Sequence, residues 1–90
     1  MDFYGIWISF SDDSNLFYDP RKKEFINSPM GEPMPAEFFF FLDDLNLHKR
    51  EATRLAGGFC LDHEAQLHLS QIRPQDPDYR IIAAAKIRKG

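Results

Sequence analysis

The side chains best suited to catalysis or metal binding in this 90-residue chain are three histidines, one cysteine and a few paired carboxylates. His63 and His68 stand five apart across an expected turn, with Asp62 and Glu64 flanking His63. A metal could gather such groups, but no pair has the spacing of a recognised ligand set, and a turn needs short polar residues for its own backbone. A Cys60 nucleophile would need a histidine beside its sulfur and an oxyanion site. His68 is the one candidate from a neighbouring strand, and Cys60 lies in the apolar Phe59-Cys60-Leu61, where the thiolate is disfavoured and the side chain serves as a small hydrophobe.

The carboxylate pairs have structural uses close at hand. Asp12-Asp13 falls in a turn sequence, Ser11-Asp12-Asp13-Ser14-Asn15, and Asp43-Asp44 stands where a helix is expected to start. His48 reads as a boundary residue of that helix. Gly57-Gly58 lacks the further glycine, lysine and hydroxyl of a phosphate-binding loop. The expectation is a protein that is not an enzyme and uses no metal or cofactor.

The elements that would carry these groups follow from periodicity. Phe3 to Phe10 alternates, with Tyr4, Ile6, Ile8 and Phe10 on one face and Phe3, Gly5, Trp7 and Ser9 on the other, which predicts a strand. Leu16-Phe17-Tyr18 follows as the second arm of a hairpin, and Glu24-Phe25-Ile26-Asn27 as a third short strand after the turn at Asp19-Pro20-Arg21-Lys22-Lys23. Ser28 to Pro35 holds three prolines and reads as an extended loop presenting Met30 and Met34.

A helix is expected from about Asp44 to Ala56, with Leu45, His48, Ala52, Leu55 and Ala56 along its inner stripe, Lys49, Arg50, Glu51 and Arg54 in water, and Gly57-Gly58 as its stop. Phe59-Cys60-Leu61 and Gln66 to Ile72 then read as a hairpin whose Leu67/Leu69 side is buried and whose Gln66/His68/Ser70 side is solvated. Residues 74–77 form a proline-containing linker, and Asp78 caps a C-terminal helix over residues 78–90, with a basic last turn that suits the helix dipole. The fold class is therefore α+β: a small antiparallel β-sheet with one short central helix and a C-terminal helix, residues 1–73 forming the compact domain.

Composition bounds the function. With 43% hydrophobic and 28% charged residues the chain has the make-up of one small globular domain, a size at which a single core gives modest stability. The net charge of −3 is unevenly spread, with nine acidic and three basic residues in positions 1–44 against five and eight in positions 45–90. An acidic chain without a basic stripe argues against nucleic acid as partner. No run approaches the ~18 apolar residues of a membrane span and no leader-like N-terminal pattern is present, so no membrane partner and a cytoplasmic location are expected. One cysteine permits no intrachain disulfide.

The most telling segment is Phe38-Phe39-Phe40-Phe41-Leu42, entered through Pro33-Met34-Pro35-Ala36-Glu37. It could open a helix with Pro35 at its first position or form a strand ending at Asp43-Asp44, and aromatic residues suit the pleat better. A run of five large apolar side chains, each worth roughly 1.5–3 kcal/mol on burial, exceeds what so small an interior accommodates on both faces. Part of it is expected to meet a protein partner. The residues expected at that contact are Trp7, Phe17, Tyr18, Met34, Phe39 and Phe41, because aromatic side chains concentrate binding energy and methionine adapts to irregular surfaces.

The order of these features resembles the tail fibre assembly chaperones of tailed phages and phage-tail-like bacteriocins: an apolar first strand, the Leu16-Phe17-Tyr18 hairpin, the Pro33 to Glu37 entry, a short acid-capped helix ending at Gly57-Gly58, a strand hairpin, Arg73-Pro74 and a closing helix. The pieces are short and cover about three quarters of the chain; Asn15 and Leu16 stand where the family has a glycine, and Leu42-Asp43-Asp44-Leu45 departs from its helix start. The resemblance implies a small protein that binds the C-terminal region of a trimeric tail fibre, in the host cytoplasm or retained in the virion, and brings its chains into register. A second function suited to a small acidic chain without a catalytic constellation is a phage-encoded inhibitor or adaptor of a host protein complex.

Overall fold

The computed structural model describes residues 2–12, 14–27, 38–59, 65–73 and 80–87. Five antiparallel strands form one sheet: β1 (Phe3–Phe10), β2 (Asn15–Asp19), β3 (Glu24–Asn27), β4 (Ala65–Ile72) and β5 (Arg80–Ile87). Their spatial order is β3-β2-β1-β4-β5, so the first strand of the sequence becomes the centre of the sheet. The one α-helix among the described residues, α1 (Leu45–Phe59), follows a short 3-10 turn at Leu42–Asp44. The α+β class expected from the sequence is what the chain adopts.

β1 is covered on both sides, which is why its sequence is apolar at nearly every position rather than at every second one. On the helix side, Ile6 and Ile8 pack with Leu67 and Leu69 of β4, Tyr18 and Phe25 of the β2–β3 hairpin, and Ala52 and Ala56 of α1. The two buried alanines let the helix lie close to the sheet, while Leu45 and Leu55 flank them. Lys49, Arg50 and Arg54 face water, as the helical spacing requires. On the opposite side Trp7, Phe17, Ile26, Phe38 and Phe39 form a second cluster.

Turn chemistry fixes the first two hairpins. Asp12 Oδ1 accepts hydrogen bonds from the Ser14 amide and hydroxyl in the β1–β2 connection. In the β2–β3 connection the buried Asp19 Oδ1 accepts the Arg21 amide at 2.9 Å and the Lys22 amide at 3.3 Å, and its carbonyl accepts the Lys23 amide. Lys23 closes that turn in the left-handed region, at φ 55°. In the sheet centre Gly5 is buried, and a Cβ there would stand 2.8 Å from Ile72 Cδ1. Its missing side chain is the space that Ile72 fills.

Three expectations are corrected. The C-terminal helix is not formed: the described residues 80–87 of that segment are β5, paired along β4 from Ala65↔Ile87 to Gln71↔Arg80. Alanine-rich sequence favours helix only weakly, and a ladder with an open strand edge overrides that preference. The helix does not stop at Gly57-Gly58 but continues through Phe59, which therefore opens no strand. β4 is an interior strand between β1 and β5, and its His68 and Ser70 are buried and not solvated because Trp7 of β1 stacks on the one and bonds to the other. The Ser28–Pro35 loop, Cys60 to Glu64 and the 74–77 linker lie outside the described residues.

Urea unfolding measures the turn directly. Asp19→Ala is expected to lower stability by about 1–3 kcal/mol, since it removes the carboxylate that accepts the Arg21 and Lys22 amides and holds the turn. Lys23→Gly is expected to raise it by about 0.5–1 kcal/mol by relieving the left-handed backbone.

Candidate partner-binding site

The phenylalanine run is divided residue by residue by the sheet. β2 ends at Asp19, leaving the start of β1 without a partner on that side, and Phe40 fills the gap through two backbone hydrogen bonds with Tyr4, at 2.9 and 3.0 Å. The segment is thus a single bridge followed by a 3-10 turn, neither the strand nor the helix that periodicity offers. Phe40 turns to the helix side, where its ring lies 4.7 Å from His48. Phe38 turns to the other side against Phe17 and is fully enclosed, and Phe39 is half-buried beside Phe3.

Phe41 and Leu42 find no place in either layer. Phe41 is 46% exposed, held by its ring contact with Phe3 at 5.3 Å, and Leu42 is 56% exposed. Together with Asp2, Tyr4 and Asp43 they line a surface cleft: apolar walls with two carboxylates at the rim. Asp43 and Asp44 lie in the 3-10 turn that leads into α1, where acidic groups complement the helix dipole. Leu47, on the first part of α1, is a further exposed large apolar side chain.

The other residues expected at a contact are placed differently. Phe17 and Tyr18 are buried in the two faces of β2, so the folded chain itself covers them. Trp7 is half-buried on the face away from the helix, its indole stacked at 4.0 Å on His68 and its Nε1–H donating to Ser70 Oγ at 2.8 Å. Met34 lies outside the described residues. Of the five that are described, Phe41 is the one that the structure leaves exposed.

Sequence reasoning missed a polar cluster on that second face. Ser9 Oγ lies 2.9 Å from His68 Nε2, the imidazole tautomer deciding which atom donates, and His68 Nδ1 is buried without a partner among the described residues. A serine beside a histidine is the geometry of a nucleophile and base, but no group orients the ring through Nδ1. Stacking on Trp7 holds it instead. Alternation did place Trp7 with Ser9 on β1 and His68 with Ser70 on β4; the signal lacking was the pairing of β1 with β4.

Burial governs the titration of both described histidines. His68 is held below the ordinary imidazole range by desolvation alone. His48 is lowered by desolvation between Tyr18 and Phe40, with Asp44 opposing and Lys23 adding to the shift. Desolvation first, then Glu51, raises the Tyr18 phenol, whose hydroxyl is buried without a partner among the described residues. Among the described residues no three His, Cys, Asp or Glu side chains gather as a metal site, and no helix is long and apolar enough to cross a membrane. No family model, curated protein or solved structure matches the chain.

A depressed folded-state pKa means that the unfolded chain takes up protons first as pH falls, so each of these histidines stabilises the fold above the unfolded value and loses that contribution on descent through the folded one. Stability should therefore fall as pH is lowered from about 6.5, the free imidazole value. In the His48→Gln/His68→Gln double variant the slope just below that pH should flatten, which denaturant titrations at stepped pH would show.

Proposed function

We propose that the chain is a non-enzymatic protein-binding module whose contact face centres on Phe41 and Leu42. The single observation that carries this reading is the division of the Phe38–Leu42 run: Phe38 and Phe40 complete the two layers of the core, while the residues that follow remain on the surface around a cleft. Solvent-exposed large apolar side chains beside a cleft are features of recognition surfaces. The acidic rim from Asp2 and Asp43 would orient a partner and reject acidic ones.

The finer reading is an assembly chaperone for the C-terminal region of a trimeric phage tail fibre or tail-like bacteriocin fibre, acting in the host cytoplasm. Its support is the resemblance of the element order and the demand such fibres create. Intertwined β-trimers close slow, non-local contacts, and their apolar surfaces and strand edges wait exposed until they do. A small domain offering an aromatic patch would cover that surface and be displaced as the trimer forms.

Co-expression with a fibre C-terminal fragment tests the proposal. The soluble fragment should co-elute with the wild-type chain on gel filtration, and Phe41→Ser should abolish co-elution while leaving circular dichroism unchanged. Phe38→Ser should instead destabilise the fold by about 3–5 kcal/mol, the range for truncating an enclosed aromatic side chain. A fragment that stays insoluble with the wild-type protein present would overturn the chaperone reading, and a Phe41→Ser protein that binds as well as wild type would overturn the assignment of the face.

A further inference from the structure

β5 is an open sheet edge of a kind that soluble proteins ordinarily protect. It pairs with β4 on one side and has no neighbour on the other among the described residues. Seven of its eight residues are exposed, with Ile81 at 52% and Ile82 at 49%, and its central stretch Ile81-Ile82-Ala83-Ala84-Ala85 holds no charge and no proline. Such a strand presents unpaired backbone donors and acceptors to any extended chain. The opposite edge, β3, is only four residues long.

The charged side chains of β5 itself are both basic. Arg80 begins the strand and Lys86 stands near its end, with no acidic residue between them. On the helix side Lys49 of α1 meets Ala83 and Ala85 in a small cleft with Leu67 and Leu69. Neither Arg80 nor Lys49 has an acidic partner among the described residues. This basic border belongs to a chain whose net charge is −3.

We propose that β5 receives an extended segment of a partner protein as a sixth strand, and that the segment is one in which apolar and acidic residues alternate. Backbone hydrogen bonds along Ala83–Ile87, the regular stretch beyond the irregularity at Ile82, hold the segment. Its apolar side chains extend the exposed surface of Ile81 and Ile82, and its carboxylates meet Arg80 and Lys49. A second copy of this chain fits less well, because the same basic strand would lie against itself with no carboxylate from either edge at the seam. The irregular register between Leu69 and Ser70 also twists the edge away from flat self-pairing. This surface is distinct from the cleft at Phe41.

The test uses the full chain and two synthetic eight-residue probes, one alternating valine with glutamate and one alternating valine with lysine. The glutamate probe should bind, shift the backbone amide signals of residues 80–87, and weaken as salt is raised. Arg80→Glu combined with Lys49→Glu, both exposed positions, should weaken the glutamate probe by about tenfold or more and favour the lysine probe. Phe41→Ser should leave probe binding intact, which separates this result from the fate of the Phe41 face. Equal binding of the two probes, amide shifts that avoid residues 80–87, or a chain dimer in sedimentation that Ile82→Lys dissolves would each overturn the proposal.

Discussion

The antiparallel pairing of β1 with β4 along their whole length, from Phe3↔Ile72 to Phe10↔Ala65, is the interaction on which the rest of this structure depends. It joins residues more than fifty positions apart, so the chain between them must be looped out and returned before either face of the sheet exists. Once made, it aligns Ile6 and Ile8 with Leu69 and Leu67 as a floor for α1, and on the other side it sets Trp7 opposite His68 and within hydrogen-bonding reach of Ser70. Both cores are consequences of one register. A slip of a single residue would exchange the two faces and bury the wrong set.

That register also explains why the phenylalanine run takes no regular form. β2 leaves the first residues of β1 open, and only one residue of the run, Phe40, is needed to satisfy the backbone there. Its neighbours are distributed by what each layer lacks: an enclosed ring against Phe17, a half-covered ring beside Phe3, and then a tight turn that starts the helix. Local propensity could not reveal this, because the decision is made by the end of another strand. Among the described residues, the apolar surplus of that run is thereby left at Phe41 and Leu42, while Phe17 and Tyr18 are buried and Trp7 is half-buried.

What could be read in the sequence was what short-range physics controls. The bounds of β1 and β3 coincide with the apolar alternation, the helix stripe Leu45, His48, Ala52, Leu55 and Ala56 faces inward, and Asp12 and Asp19 serve their turns. What failed depended on distant partners. Arg80 to Ile87 carries three alanines and reads as helix when taken alone, but β4 offers it a full ladder. The solvated side expected for Gln66, His68 and Ser70 is covered at His68 and Ser70 because Trp7 of β1 stacks on the one and bonds to the other.

The conflict between the composition of β5 and its state bears on function. A strand with three consecutive alanines and seven of its eight residues exposed gains little from side-chain packing, and with no outer neighbour among the described residues it relies on backbone pairing with β4. It has much to gain from a further neighbour, since an added strand would satisfy its remaining backbone groups and cover Ile81 and Ile82 together. The stability of this edge and the occupancy of its open side are coupled quantities: whatever binds the strand stabilises it, by mass action, in proportion to the occupant's affinity and concentration.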